Sequence, residues 1–185
     1  MRPVAEIATG FVITFGSFKV NGFDLLVDPA GWGLCVAGLS QLRRAAGDPF
    51  DRAESAAVAM VCVSLAAVVT SLMGSVPEFV GDVVGLTCTA GALIAVWGIA
   101  DAVIRRVRPA GETSRAALLD VLRWAVTGMG ALGALAVHGY AGLGAVAGVA
   151  CLTATVILIV VLYRSAGLPC LAATESGQPN AAEPA

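Results

Sequence analysis

Along most of the chain, long apolar runs alternate with short polar punctuation, a pattern that predicts membrane-length helices. A bilayer core of about 30 Å takes about 20 helical residues. The runs 54–72, 79–104, 116–137 and 141–163 reach that length with few charges inside them. Two earlier runs are shorter. Residues 4–20 are apolar apart from Glu6, Lys19 and small hydroxyl residues, and 29–42 are apolar up to Arg43-Arg44. They read as a first hairpin whose connecting loop dips toward the membrane. The expected fold is all-α: an integral membrane bundle of six transmembrane helices, built as three tandem helical hairpins.

The boundaries carry helix-start chemistry. Asp28-Pro29 sets an N-cap acceptor before a proline at the first helical position, where the missing N–H costs nothing. Asp48-Pro49 repeats the device, Asp51 and Glu54 suit a cap one turn later, and Ser75-Val76-Pro77-Glu78 fits a capping box. Thr113 or Ser114 suits the start of the fifth helix. In hydrocarbon such caps matter more than in water, because orphan backbone donors find few other partners.

Composition agrees with a lipid solvent. The chain is 58% apolar and 13% charged, with a mean hydropathy of +0.86. A soluble domain is about 45–50% apolar and about 25% charged, so one soluble core could not absorb this sequence. A net charge of −2 and the lack of a basic stripe exclude nucleic acid as a partner. The five cysteines have no spacing that suggests disulfides or zinc, and four sit in apolar runs as small hydrophobes. A cleaved signal peptide is not expected, since Glu6 interrupts the start and no A-x-A site follows.

Arginine orients the helices. With six spans, Arg2, Arg43, Arg44, Arg52, Arg105, Arg106, Arg108, Arg115, Arg123 and Arg164 share one side, and only Lys19 lies on the other. The positive-inside rule makes that side cytoplasmic, with both termini on it. The preference for arginine and the Ala/Gly/Val bias fit a GC-rich bacterial genome, hence a bacterial cell membrane. Residues 1–164 form the transmembrane domain, and 165–185, without apolar period, read as a disordered cytoplasmic tail.

The outer turns look alike. Asp28-Pro29-Ala30-Gly31 and Glu78-Phe79-Val80-Gly81 each place an acid three residues before a glycine, and both returning helices end in paired arginines. That is the pattern of a parallel repeat of hairpins, or of convergent capping and flanking chemistry. The stretch Asn21-Gly22-Phe23-Asp24-Leu25-Leu26-Val27-Asp28-Pro29-Ala30-Gly31-Trp32 resembles the first outer loop of small, uncharacterised multi-pass bacterial membrane proteins with a Leu-Pro-Asp-x-x-Gly-Tyr-type turn. Val27 stands where that pattern has proline, Pro29 follows the acid, and Trp32 replaces the tyrosine. The resemblance implies a multi-pass fold and brings no activity.

Ionisable groups inside a span cost about 2.5–3.5 kcal/mol at its centre, so each invites a functional question. Asp101 with Arg105 and Asp120 with Arg123 have helical-face spacings, which predicts interfacial ion pairs. On the outer side Asp24, Asp28, Glu78, Asp82 and His138 would lie near one interface, where a converging cluster could bind a cation, relay protons or hold a basic ligand. The bland alternative is that the acids cap or solvate separately. Gly81-x-x-x-Gly85 and Gly144-x-x-x-Gly148 match the motif for close helix packing, within the chain or between copies. Trp32, Trp97 and Trp124 read as interfacial anchors.

No nucleophile elbow or metal-ligand spacing asks for an enzyme, and no cofactor or metal is expected. The leading expectation is a non-enzymatic accessory or interaction component of the lipid bilayer, partnered by itself or by another membrane protein. The alternative is a small transporter or channel subunit using the outer acidic cluster.

Overall fold

Apolar runs offer the backbone few polar side chains, so their N–H and C=O groups pair internally and six helices result. The computed structural model describes residues 2–16, 27–46, 50–72, 78–136 and 141–171, with side chains at all of these except 27, 45, 46, 71, 78 and 141–143. The helices are α1 (Pro3–Gly16), α2 (Val27–Ala46), α3 (Asp51–Leu72), α4 (Glu78–Val107), α5 (Thr113–Ala136) and α6 (Ala141–Ser165), followed by a 3-10 turn at Pro169–Leu171. Among the described residues there is no strand.

Four helices, α3 to α6, are long and apolar enough to cross a membrane. The first hairpin differs. α1 has 14 residues, about 21 Å at about 1.5 Å per residue, shorter than a bilayer core. α2 has 20 residues but carries Asp28, Gln41, Arg43 and Arg44, and it falls outside the set that is both long and apolar enough.

The Asp48-Pro49 and Ser75-Val76-Pro77 devices lie outside the described residues, and the other helix starts follow the capping chemistry with small shifts. α2 begins at Val27, so Asp28 lies in its first turn, where a carboxylate favours the helix dipole, rather than before it. α3 begins at Asp51, and Asp51 and Glu54 receive Arg43 from the end of α2 at 3.2 and 3.0 Å. α5 begins at Thr113, after a turn in which Gly111 takes a φ of 88°.

Each helix packs on its sequence neighbours, and α1 also meets α6, closing a ring of six. The ring is antiparallel throughout. Gly98 faces Ala53 across α3 and α4, Arg123 reaches Asp101 across α4 and α5, and Cys151 Sγ donates to Val126 O across α5 and α6. Thr9 Oγ1 and Tyr163 Oη are hydrogen-bonded across α1 and α6 at 2.6 Å. The hairpins α1/α2, α3/α4 and α5/α6 are therefore present, and α2·α3 and α4·α5 pack as well.

The tightest seam joins α1 to α2. A Cβ on Gly38 would come within 2.5 Å of Pro3 O and 2.8 Å of Ile7 Cγ1. One on Gly10 would come within 2.5 Å of Gly31 O, and one on Gly31 would strike Thr14. Three glycines thus let two backbones approach, and Cys35 Sγ donates to Ile7 O beside them at 3.6 Å. Gly81, Gly85 and Gly148 do not share this role within the chain, whereas Gly144 does approach a neighbour, on α5. Among the described residues a Cβ on Gly81, Gly85 or Gly148 meets nothing within 4 Å, and Gly144 meets only Ala136 Cβ at 3.3 Å. The glycine motif fixes a spacing but not the direction in which its face points. Trp32 is not an interfacial anchor either: it is 1% exposed and packs edge-on to Phe11 and Phe15 in the α1/α2 seam.

Large buried side chains gather at the end that carries the ten arginines. Leu39, Leu42, Phe50, Ile99, Leu119, Leu158 and Leu162 all lie there, each at most 2% exposed. Chain beyond α6 joins them. Residues 166–171 fold back on the end of α4, where Leu171 is buried and Arg106 Nε donates to Cys170 O at 3.1 Å. The region after residue 164 is thus ordered as far as 171, because Leu168 and Leu171 have an apolar shelf to cover. Residues 172–185 lie outside the described ones.

Candidate functional site

At the other end the ring encloses space. The inward positions there are small: Ala67, Gly81, Gly85, Ala92 and Gly130 cannot meet across the bundle as leucines do at the arginine end. The result is an open cavity of about 580 Å³ bounded by parts of all six helices. Met60, Trp32 and Leu93 line its depth, and the buried layer of Ala57, Val96 and Ile99 lies beyond them toward the arginines.

The wall is mostly apolar, with a few polar groups. Asp28 stands in the first turn of α2, Thr14 at the end of α1, Ser64 and Thr70 on α3, and Thr89 on α4. Two hydroxyls are tied to their own helices: Thr70 Oγ1 donates to Ala67 O at 2.8 Å and Thr89 Oγ1 to Gly85 O at 2.9 Å. Thr14 Oγ1 is buried without a hydrogen-bond partner among the described residues, and Ser64 is 6% exposed. One carboxylate among hydroxyls in an apolar wall is the chemistry that receives a cation too large to need full hydration.

Of the five outer residues expected to converge, the cavity takes Asp28. Asp82 is exposed and lines a neighbouring cavity of about 600 Å³ with Phe79 and Leu86, which shares Gly81, Gly85 and Thr89 of α4 with the first. Glu78 opens α4, and its side chain lies outside the described set; Asp24 and His138 also lie outside the described residues. Ser64, Thr70, Thr89 and Thr14 escape a sequence reading, because a lone hydroxyl in an apolar helix looks the same whether it faces lipid, a neighbour or a cavity. Three of the four fall on α3 and α4 at positions that also turn alanine or glycine inward, and that small-residue company is the available signal.

At the arginine end the expected pairs form and merge. Asp101 accepts from Arg105 Nε at 2.7 Å and from Arg123 Nη1 at 2.6 Å, and Asp120 lies 2.6 Å from Arg123 Nη2. The Arg123 guanidinium also covers the Trp97 ring at 4.4 Å, and Trp97 meets Trp124 edge-on at 4.5 Å. Gln41 Nε2 donates to Glu6 Oε2 at 2.7 Å, so the one acid of α1 is held by α2. No group of three or more His, Cys, Asp or Glu side chains that could hold a metal occurs among the described residues. Compared with known proteins, the chain matches no family model, no curated protein and no solved structure, and the geometry alone carries its functional reading.

Proposed function

We propose that this chain is a multi-pass protein of a bacterial cell membrane that crosses it six times, with both termini in the cytoplasm. We further propose that its cavity admits a small organic cation from the outer side, as a transporter or channel subunit. Six spans are supported by the ring: α1 and α2 stand between α6 and α3, in the same layer as the four apolar helices. The ten arginines at one end support the orientation. A single observation carries the function: Asp28 faces an open, largely apolar cavity of about 580 Å³ that is closed toward the arginines by packed side chains. Its size suits a small organic ligand, since such sites run about 300–1,000 Å³.

Of the two expectations raised by the sequence, this geometry favours the cation-taking subunit over the accessory protein. The accessory reading keeps one observation of its own. Gly148 is open and has exposed Leu152 one turn on along the same face of α6, a surface on which a second transmembrane helix could pack.

Uptake of methylammonium and guanidinium into proteoliposomes tests the proposal. Saturable uptake is expected for the wild type. Asp28→Asn should lower it about tenfold or more, because the partner of a desolvated charge is lost, while the variant still inserts and remains monodisperse. Absence of saturable uptake by the wild type, or equal uptake by Asp28→Asn, would overturn it.

A further inference from the structure

Beside the α4–α5 turn a second cleft, of about 410 Å³, is lined by Asp101, Ile104, Arg105, Arg108, Pro109 and Arg123. Three guanidinium groups face it against one carboxylate. Asp101 grips Arg105 and Arg123 with its two oxygens and Asp120 also meets Arg123, so the two acids hold and balance those two guanidinium groups and the surplus charge rests on Arg108. Arg108 forms no ion pair among the described residues and follows directly on α4, in a turn held by Arg108 N donating to Ile104 O at 2.9 Å and Gly111 N to Arg108 O at 3.3 Å. A preorganised set of arginines with surplus charge is the chemistry of phosphate recognition.

What adjoins the cleft decides between a soluble phosphate and a lipid. Arg123 lies over Trp97, and Trp97 meets Trp124, which is 62% exposed. On the same helix Leu132 and Leu135, eight and eleven residues beyond Trp124 and away from the arginine end, are also exposed. Indoles beside arginines, continued by apolar surface, match the level of a bilayer where headgroup gives way to acyl chain. The geometry points to a binding site for the phosphate of an anionic phospholipid at the α4–α5 end, with Arg105 and Arg108 as its ligands and Arg123 as the fixed base. The site requires only that this end of α4 and α5 meets a membrane surface, and it stands or falls separately from the Asp28 cavity.

The test uses the full chain in nanodiscs of phosphatidylcholine with a minor share of phosphatidylglycerol, and counts the lipids that stay bound after extraction. The wild type is expected to retain phosphatidylglycerol above its share in the disc. Arg108→Gln and Arg105→Gln should each lower that enrichment about fivefold, the effect of one basic residue at a charged surface. Arg164→Gln, at the same end but outside the cleft, should leave the enrichment intact. Retained lipid that mirrors the disc composition would overturn the site, and so would an equal loss in Arg164→Gln, which would mean diffuse charge. Inorganic phosphate that displaces the lipid at millimolar level would overturn the lipid assignment in favour of a soluble anion.

Discussion

The two ends of the bundle are built from the same helices and differ in what those helices turn inward. At the arginine end leucine, isoleucine and phenylalanine fill the ring, and Ile99, Leu119 and Leu158 have no exposed surface. At the other end glycine, alanine, serine and threonine take many of the inward positions beside a few large side chains such as Trp32 and Met60, and the ring encloses a cavity. Without a hydrophobic force between helices in lipid, stability there rests on close packing and hydrogen bonds. The filled end can therefore act as the structural base, while the open end gives up packing for a volume that another molecule can occupy. The α1/α2 seam belongs to the filled side of this contrast, since Gly10, Gly31 and Gly38 are crowded where Gly81, Gly85 and Gly148 are open.

The contrast breaks most visibly if truncations cost the same at both ends. Leu158→Ala, at a fully buried site, should cost about 2–5 kcal/mol in chemical unfolding from mixed micelles. Leu132→Ala, at a site 49% exposed, should stay within about 0.5 kcal/mol. Comparable losses at the two sites would mean that the open end is packed too. Next in size is Gly38→Ala, whose new methyl group meets the carbonyl of Pro3 at 2.5 Å; overpacking of this kind costs about 1–3 kcal/mol. An unchanged unfolding midpoint would show that α1 and α2 do not interlock there. The smallest effect has the opposite sign. Gly148→Ala lies in open space on a helix and should stabilise by about 0.5–1 kcal/mol through helix propensity. If Gly148→Ala or Gly148→Leu instead weakens association in native-membrane crosslinking, the open face is an interface and the accessory reading gains.

Legibility varied with the range of the interaction. Asp101–Arg105 and Asp120–Arg123 can be read from the chain because residues three and four apart share a helix face. The bridge from Arg123 to Asp101 that fuses them cannot, since it depends on how α4 and α5 sit together. The same limit governs the glycines. Gly81-x-x-x-Gly85 carries the spacing that favours close approach, yet Gly10, Gly31 and Gly38 are the ones in contact, because the neighbour and not the spacing decides. Trp32 resembles a headgroup anchor by its place near a helix start and is instead enclosed by Phe11 and Phe15.

The amino-acid sequence by itself determined what is local or one-dimensional: six helices, their limits to within about one turn, the gathering of ten arginines at one end, and four stretches apolar enough for a bilayer. Backbone pairing within each apolar run and the length of the run are enough for those. Only the tertiary structure decided that α1 meets α6 to close the ring, that Asp28 rather than Asp82 lines the cavity between all six helices, and that Arg105, Arg108 and Arg123 share a cleft. Each of these depends on which face of one helix meets which face of another, and in a chain apolar on almost every side the hydrophobic pattern does not mark that face.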